Sequence, residues 1–300
     1  MLGSTTYAGF VAIVGRPNVG KSTLLNRLVR TKVSITSSKP HTTRHRIFGI
    51  NTEGSYQSIY IDTPGFYCKD NHMDDDTINH ISMRALDGVS LVIFLIEGTI
   101  WTTVDQMVMN KLKEQESVLL VINKVDKISD KHVLLPHLHF LFQKRNFLEI
   151  VPISAKKCSN IDIISNIVKK NLPESEHYFP EKSITNCSKI FMCSEIIREK
   201  LIRFLGDELP SIATVKINRF FVGKNGHLNI FSMILVNHKS QKNIVVGHKG
   251  SKIKTIGMRA RKDIESLFQV SVYLDLWVQV KYGGEDAQDS KLHISRSETS

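Results

Sequence analysis

What this chain has little of narrows it first. Four cysteines, Cys68, Cys158, Cys187 and Cys193, are spread through 300 residues with no C-x-x-C pair. Neither a disulfide framework nor a zinc site is expected, and a reducing compartment fits best. Long apolar runs are missing: the longest, Ser90 to Ile96, falls far short of the roughly 20 residues a membrane crossing needs. The start, Met-Leu-Gly-Ser-Thr-Thr-Tyr, has neither a basic segment nor an apolar core, so no export signal is read and a cytoplasmic location is expected. Acidic residues are scarce as well. Against 40 Lys and Arg stand 29 Asp and Glu, for a formal charge of +11 and a pI near 9.4. That balance points to a polyanionic partner, either nucleic acid or an anionic membrane surface. What is present is 41% hydrophobic composition, enough for about two domains at this length. Nothing in the chain calls for an obligate oligomer.

The first half alternates strand-like and helix-like segments. Gly9 to Gly15, Tyr56 to Ile61, Ser90 to Ile96, Val118 to Asn123 and Leu148 to Ile153 read as strands, and Asn160 to Lys170 as a closing helix. His45 to Thr52 reads as an extra edge strand joined by a hairpin through Glu53-Gly54. The pattern predicts an α/β fold: a doubly wound, mostly parallel sheet with helices on both faces, over 1–172. From Leu172-Pro-Glu-Ser-Glu-His to Phe179-Pro-Glu-Lys the chain turns polar and proline-punctuated, so 173–192 reads as a linker. A smaller α+β unit is expected over 193–282. It reads as a helix from Ser194 to Leu205 ended by Gly206 and Pro210, strands Ala213 to Val222 and Leu228 to Val236, a helix Ser251 to Phe268 interrupted at Gly257, and a strand Val270 to Tyr282. Its order is α-β-β-α-α-β. The polar tail 283–300 has no apolar period and reads as disordered.

The stretch Gly15-Arg-Pro-Asn-Val-Gly-Lys-Ser22 joins the first strand to a helix, the context that a G-x-x-x-x-G-K-[ST] loop requires to hold a nucleotide phosphate. Backbone N–H groups of Gly15, Arg16, Pro17, Asn18, Val19, Gly20 and Thr23, proline excepted, are expected to cradle the phosphates at a helix N-terminus. Lys21 would reach the β- and γ-phosphates and Ser22 would offer its hydroxyl to Mg²⁺. A Gly-rich turn with an incidental lysine looks the same, so the later motifs decide. Asp62-Thr63-Pro64-Gly65 ends the strand Tyr56 to Ile61, where such sheets place ligands. There Asp62 would hold Mg²⁺ through water and the Gly65 N–H would sense the γ-phosphate. Asn123-Lys124-Val-Asp126 ends another strand. The Asp126 carboxylate can accept from guanine N1–H and N2, whereas adenine offers an acceptor at N1, so GTP is selected. Asn123 is expected to brace the phosphate loop and Lys124 to pack on the purine. Ser154-Ala155-Lys156 would present N–H to guanine O6. Three motifs in order, each at a strand end, leave the incidental-turn reading little room.

Together G-R-P-N-V-G-K-S, D-T-P-G, N-K-V-D and S-A-K resemble the Ras-type translational GTPases. The resemblance implies a switch loop at Lys39-Pro-His-Thr-Thr-Arg-His-Arg46, with Thr43, or alternatively Thr42, ligating Mg²⁺. Lys21, Asn18, Thr43 and Gly65 are then the residues expected to act in catalysis. Phe66 stands where Ras-like proteins place a water-orienting glutamine, and a phenyl ring cannot hydrogen-bond water, so intrinsic hydrolysis should be slow. Asn18 resembles the asparagine that in some such GTPases helps hold K⁺ beside the phosphates.

In the second unit, Gly247-His248-Lys249-Gly250 precedes a helix, an arrangement that lets a nucleic-acid backbone approach. Alone it is weak. Around it stand Lys239, Lys242, Lys252, Lys254, Arg259, Arg261 and Lys262, with no acidic residue from Asn237 until Asp263. That concentration is an electrostatic footprint for phosphates. A solvated helix face would also be charged. The α-β-β-α-α-β order, with G-x-x-G before the second-last helix, resembles the type II KH fold, which clamps about four unpaired nucleotides. Bases would lie beside Ile244, Val245 and Ile253. His227 and His238 read as surface residues.

Both halves together resemble the Era family of bacterial GTPases, from about Ala8 to Val280, through K-P-H-T-T-R-H-R-I, L-V-I-F-L-I-E-G-T, S-E-I-I-R-E-K-L, G-S-K-I-K-T-I-G and L-D-L-W-V-Q-V-K. The resemblance implies a GTPase that binds the 3′ end of small-subunit ribosomal RNA, acts in assembly of that ribosomal subunit, and makes peripheral contact with the inner face of the plasma membrane. From Gly283 the chain lacks the apolar continuation the family pattern leads one to expect. Two other readings are open at this level: a constitutive RNA-binding protein on a structural nucleotide domain, and a membrane-surface protein. Against the last, the helix Ser251 to Phe268 lacks Trp and carries only Phe268 as an aromatic.

Overall fold

The computed structural model describes residues 5–36, 46–66, 82–205 and 214–281. The chain divides into two compact units, Met1–Met192 and Cys193–Ser300. The first is built on six strands, β1 (Tyr7–Val14), β2 (Ile47–Glu53), β3 (Tyr56–Asp62), β4 (Leu91–Glu97), β5 (Val118–Asn123) and β6 (Glu149–Pro152). They lie in the order β2-β3-β1-β4-β5-β6. Among the described residues only β2 runs antiparallel to its neighbour, hairpinned to β3 through Gly54 at φ +60°. The helices are α1 (Lys21–Leu28), α2 (Thr103–Lys111), α3 (Leu134–Lys144) and α4 (Ile161–Lys170).

A parallel sheet covered on both faces needs strands apolar on both sides. Leu119 and Val121 of β5 enter one core with Val11, Ile13, Leu24, Leu25 and Ile164, while Leu120 and Ile122 enter the other with Ala12, Val14, Phe94 and Val108. The strand order reverses at β1, between β3 and β4, which opens a crevice at the carboxyl ends of those strands. Every nucleotide motif in the sequence sits at that end.

The segment read as a linker follows the first unit closely. Ser175 N–H donates to Thr6 O at 3.0 Å, Ile50 N–H to Ile184 O at 2.9 Å and Phe48 N–H to Asn186 Oδ1 at 3.2 Å. Buried Gln57 donates to Phe179 O at 2.8 Å and accepts from Phe179 N–H at 2.9 Å. The Tyr178 ring lies 5.1 Å from that of Phe10. The contacts to Ile50 and Phe48 cover the free edge of β2, which would otherwise expose unpaired backbone groups.

The second unit holds α5 (Lys189–Phe204), β7 (Thr214–Val222), β8 (Leu228–Val236), α6 (Lys239–Val246), α7 (Ser251–Phe268) and β9 (Val272–Val280). Its sheet runs β7-β8-β9, antiparallel then parallel, with a register shift between Ile217 and Arg219. Ile230, Ile234, Val245, Ile256, Ala260, Ile264 and Val278 form its core, against which the helices pack on one sheet face.

Three expectations need correction here. Helix α5 begins at Lys189, five residues before Ser194. Helix α7 runs through Gly257 without a break. A Cβ at Gly257 would stand 3.4 Å from Leu276 Cδ1 on β9, an ordinary contact, so the glycine neither breaks the helix nor is required by its packing. The second helix of the α-α pair is therefore the whole of α7, and the first is α6, whose polar start hides its period. His238 and Gln241 close a capping box at its N-terminus. The G-x-x-G loop lies between α6 and α7, before the last helix and not the second-last. Gly206 and Pro210, the switch segment at 37–45, Cys68 and the tail fall outside the described residues.

Candidate guanine-nucleotide site and nucleic-acid interface

The phosphate loop is shaped by backbone that side chains would block. Gly15 has φ +147°, and a Cβ there would stand 2.3 Å from Leu95 O; Gly20 has φ +108°, and a Cβ would stand 2.3 Å from Asn123 Nδ2. Asn18 also lies in the left-handed region, at φ 63°. Lys21 is buried, with Nζ donating to Gly15 O at 3.1 Å and Arg16 O at 3.0 Å. Those carbonyls hold the ammonium where a phosphate would receive it. Burial lowers its pKa from 10.5 to about 8, only partly opposed by the Asp62 charge.

Asp62 is fully buried at the end of β3. Its Oδ2 accepts from Ser22 Oγ and Ser34 Oγ, each at 2.7 Å. Its Oδ1 is buried with no hydrogen-bond partner among the described residues. Burial raises the carboxyl pKa, the two hydroxyls and Lys21 pulling the other way. An orphaned carboxylate oxygen beside a P-loop serine hydroxyl fits a hydrated hard cation, which would complete the oxygen's bonding. Thr43, and Thr42 with it, lies outside the described residues. Thr63 is buried with its hydroxyl on Ile13 O at 2.9 Å, and Pro64 O accepts from Ser82 Oγ at 2.7 Å. Gly65 abuts the phosphate loop: a Cβ would stand 2.7 Å from Pro17 N, and Phe66 N–H donates to Gly15 O at 3.3 Å. The Phe66 ring is fully buried in the core.

Asn123 links the base and phosphate ends of the crevice. Its Nδ2 donates to Val19 O at 2.8 Å and its Oδ1 accepts from Ala155 N–H at 2.9 Å. Asp126 accepts from Ser154 Oγ at 2.6 Å, which holds its carboxyl below the usual range and keeps it an anion able to receive two guanine donors. Lys124 reaches Glu97 at 2.8 Å, and Arg16 spans Glu97 and Asp105 at 3.6 and 3.3 Å. The Arg16 side chain is thus turned away from the phosphate loop, and Lys156 is exposed. Sequence reasoning missed Ser34 and Glu97. Neither belongs to a spaced motif, and only folding brings them against Asp62 and Lys124.

In the second unit Gly247 and Gly250 have φ +73° and +77°, and Lys249 between them is left-handed at φ 47°. A Cβ at Gly247 would stand 2.7 Å from Lys252 Cγ, while nothing lies within 4 Å of one at Gly250, which faces open space. His248, Lys249, Lys252 and Lys254 are exposed. Beyond the loop, between α7 and β9, lies a groove of about 270 Å³ lined by Ile253, Lys254, Gly257, Met258, Arg261, Leu274 and Leu276. Lys254 and Arg261 therefore meet there, whereas the Arg259 guanidinium lies 4.9 Å from the Phe204 ring centroid, over α5. Of the expected apolar wall, Ile253 lines the groove and Ile244 is exposed on α6, but Val245 is fully buried in the core and cannot receive a base. An apolar trough with cations at its rim and a glycine loop at its end suits unpaired nucleotides.

Comparison with known proteins agrees with this geometry. The model for 50S ribosome-binding GTPases matches residues 10–124 and that for KH domains matches 208–284. The GTPase Era of Yersinia enterocolitica is 56% identical over 282 residues, which cover 94% of this chain and 93% of that protein. A crystal structure of Era in complex with MgGDPNP and nucleotides 1506–1542 of 16S ribosomal RNA superposes with a TM-score of 0.86 at 39% identity, covering 92% of this chain and 94% of that one. An Aquifex aeolicus Era variant bound to GDP and AlF4 gives the same TM-score, identity and coverage. With a P-loop GTPase unit followed by a type II KH unit and this degree of likeness across nearly its whole length, the chain belongs to the Era family of GTPases.

Proposed function

We propose that this GTPase is a nucleotide switch that binds the 3′ end of small-subunit ribosomal RNA through its KH groove and acts in assembly of that subunit. The observation that carries the reading is the buried, unpartnered Asp62 Oδ1 beside Ser22, in a chain whose second unit presents a G-x-x-G loop and a cation-rimmed groove. The Era relative crystallised with MgGDPNP and 16S RNA supports the ligand assignments.

Lys21 and the backbone from Gly15 to Thr23 hold the phosphates. Asp126 and the Lys156 N–H select guanine, while Ser154, whose hydroxyl donates to Asp126, and Ala155, whose N–H donates to Asn123 Oδ1 and not to the base, hold those groups in place, and Asn123 keeps both ends in register. Ser22, Asp62 and Thr43 would hold Mg²⁺, which would supply positive charge to the phosphates. Asn18 contributes to a K⁺ site, which when filled supplies charge of the kind an arginine finger brings elsewhere. Equal hydrolysis rates in K⁺ and Na⁺ buffers would remove that assignment. GTP engages Thr43 and the Gly65 N–H, and RNA affinity changes with the bound nucleotide. Hydrolysis is slow because Phe66, sunk in the core, offers no group to orient water. The same residue favours the second reading, in which the nucleotide unit is a structural base and RNA binding is constitutive.

The deciding experiment titrates single-stranded RNA from the small-subunit 3′ end at fixed salt with GDPNP, GDP or no nucleotide. Tighter binding with GDPNP, weakened by Lys254→Ala and Arg261→Ala, is expected. Equal affinity in all three states would leave the constitutive reading in its place. Cytoplasmic residence with peripheral membrane contact belongs to the same proposal. It is supported by α3, where Leu135 and Phe142 are 67% and 60% exposed on the helix that carries Lys144, with no acidic residue between Asp130 and Glu149. Failure to bind anionic vesicles would remove that contact.

A further inference from the structure

The sheet face of the second unit opposite its helices is not used by the groove, yet its side chains form an ordered array. Alternate residues of β8 point into the core, namely Leu228, Ile230, Ser232, Ile234 and Val236, which leaves Asn229, Phe231 and Met233 on the open side. The strand register extends that side into three cross-strand rows. Phe221 pairs with Asn229 and Asn229 with Tyr273; Arg219 with Phe231 and Phe231 with Asp275; Lys216 with Met233 and Met233 with Trp277.

The shift at Ile217 and Arg219 matters here, because a bulge reverses which side of a strand its residues face. It turns Phe221 outward while Phe220 remains packed on the core. Phe221, Tyr273 and Trp277 are 48%, 54% and 36% exposed. Their rings adjoin: Phe221 and Phe231 are nearly coplanar in orientation at 6.2 Å and 11°, and Phe231 lies 5.9 Å from Tyr273.

Charge makes the array directional. From Glu208 to Asp263 the chain has no intervening acidic residue, so β7, β8 and the turn between them carry only positive charge. Lys216 and Arg219 lie along the β7 side, and Asp275 on the β9 side. Among the described residues none of these three enters an ion pair. A face meant for a protein core would lack such unpaired charges at its centre and rim. Aromatic rings beside cations on an open sheet are what unpaired bases stack upon, with phosphates drawn to the cationic side.

We propose that this open face, through Phe221, Phe231, Tyr273 and Trp277 with Lys216 and Arg219, is a second binding surface for unpaired RNA, separate from the groove between α7 and β9. Bases stack across the rings, the backbone runs along β7, and Asp275 accepts from the exocyclic amine of cytosine or guanine.

Trp277 provides its own reporter, since the chain has two tryptophans and the other is Trp101. In the full chain carrying Trp101→Phe, an RNA of about twelve unpaired nucleotides is titrated while indole emission and the anisotropy of an RNA-borne dye are read together. Emission should be quenched on binding, and quenching should persist in the Lys254→Ala, Arg261→Ala groove variant. Phe221→Leu with Tyr273→Leu keeps apolar area and removes the rings; it should weaken RNA binding about tenfold. Arg219→Gln, on an exposed strand position, should lower the salt dependence without loss of folding. Anisotropy showing RNA bound with no change in Trp277 emission would overturn this surface and leave the groove assignment standing. Quenching abolished by the groove variant, or affinity unchanged by the leucine pair and by Arg219→Gln, would also overturn it. Absence of RNA binding by either signal would overturn both assignments. If the leucine pair alone fails to fold, Arg219→Gln and the groove variant still decide.

Discussion

A lysine buried against backbone carbonyls and without a phosphate gives up its proton more readily than one in water. Lys21 has its pKa lowered from 10.5 to about 8 by desolvation. Between those two values the unfolded chain binds a proton there that the nucleotide-free fold has shed, so this residue makes stability rise with pH across that window. Phosphate reverses the effect, because its charge favours the ammonium. GTP binding should therefore take up a proton at about pH 9 and none near pH 7. Calorimetric titrations in two buffers of different ionisation enthalpy read this directly; identical apparent enthalpies at the higher pH would show that Lys21 keeps its charge without a phosphate. Asp62 is the opposite case in the same crevice. Its carboxyl is raised by burial, and the unpartnered Oδ1 marks where a cation restores the ionised form. Motif spacing put Lys21 and Ser22 at the start of α1 and Asp62, Asn123 and Asp126 at the strand ends, where the fold places them. Ser34 was not legible, because its contact with Asp62 is made across a sequence gap that no local pattern encodes.

At the scale of elements, apolar runs marked the strands and the closing helix of the doubly wound unit to within a few residues, while α2 and α3 were not placed. The parallel strands declare themselves because burial on both faces demands continuous Val, Ile and Leu. The KH helices were harder. Gly257 reads as a break by propensity, but α7 is held by packing on both sides of it, and tertiary contacts outweigh a cost of about 1 kcal/mol. Gly257→Ala should then stabilise the second unit by up to about 1 kcal/mol, since the new Cβ meets Leu276 Cδ1 at 3.4 Å, an ordinary contact. The same methyl intrudes on the groove, so RNA affinity should fall. Chemical denaturation and RNA titration of the variant test the pair of effects; a loss of stability would mean that the glycine is required by helix packing. Helix α6 escaped reading because Lys239, Gln241, Lys242 and Asn243 dilute its apolar period, and its capping box uses a histidine in place of the usual serine or threonine.

At the scale of the molecule, the segment 174–186 works as a strap on the first unit. Gln57 is fully buried and makes two hydrogen bonds to the Phe179 backbone besides one to Thr52 Oγ1. Gln57→Ala leaves those backbone groups without their partner and should cost about 1–3 kcal/mol. The strap should also become open to trypsin at Lys182, while GTP affinity, set at the far ends of the strands, stays unchanged. Resistance to cleavage equal to the parent chain would show that the Tyr178 and Ile184 contacts suffice alone. Composition had marked this stretch as a connection because it is polar and rich in proline. Its attachment depends on the free edge of β2, which a linear reading places more than a hundred residues away.

The sequence by itself determined the chemistry of the nucleotide site, the two-unit order and the basic character of the second unit. Those depend on which residues occur at which spacing, and phosphate, guanine and polyanion recognition impose the spacing. Only the tertiary structure decided which oxygen of Asp62 is left unpartnered, that Arg16 turns to Glu97 and Arg259 to Phe204, and that Val245 belongs to the core. It also decided that Phe221, Phe231 and Tyr273 come side by side. The first of these depend on side-chain direction after packing, and the last on cross-strand register, which the bulge at Ile217 and Arg219 sets for β7.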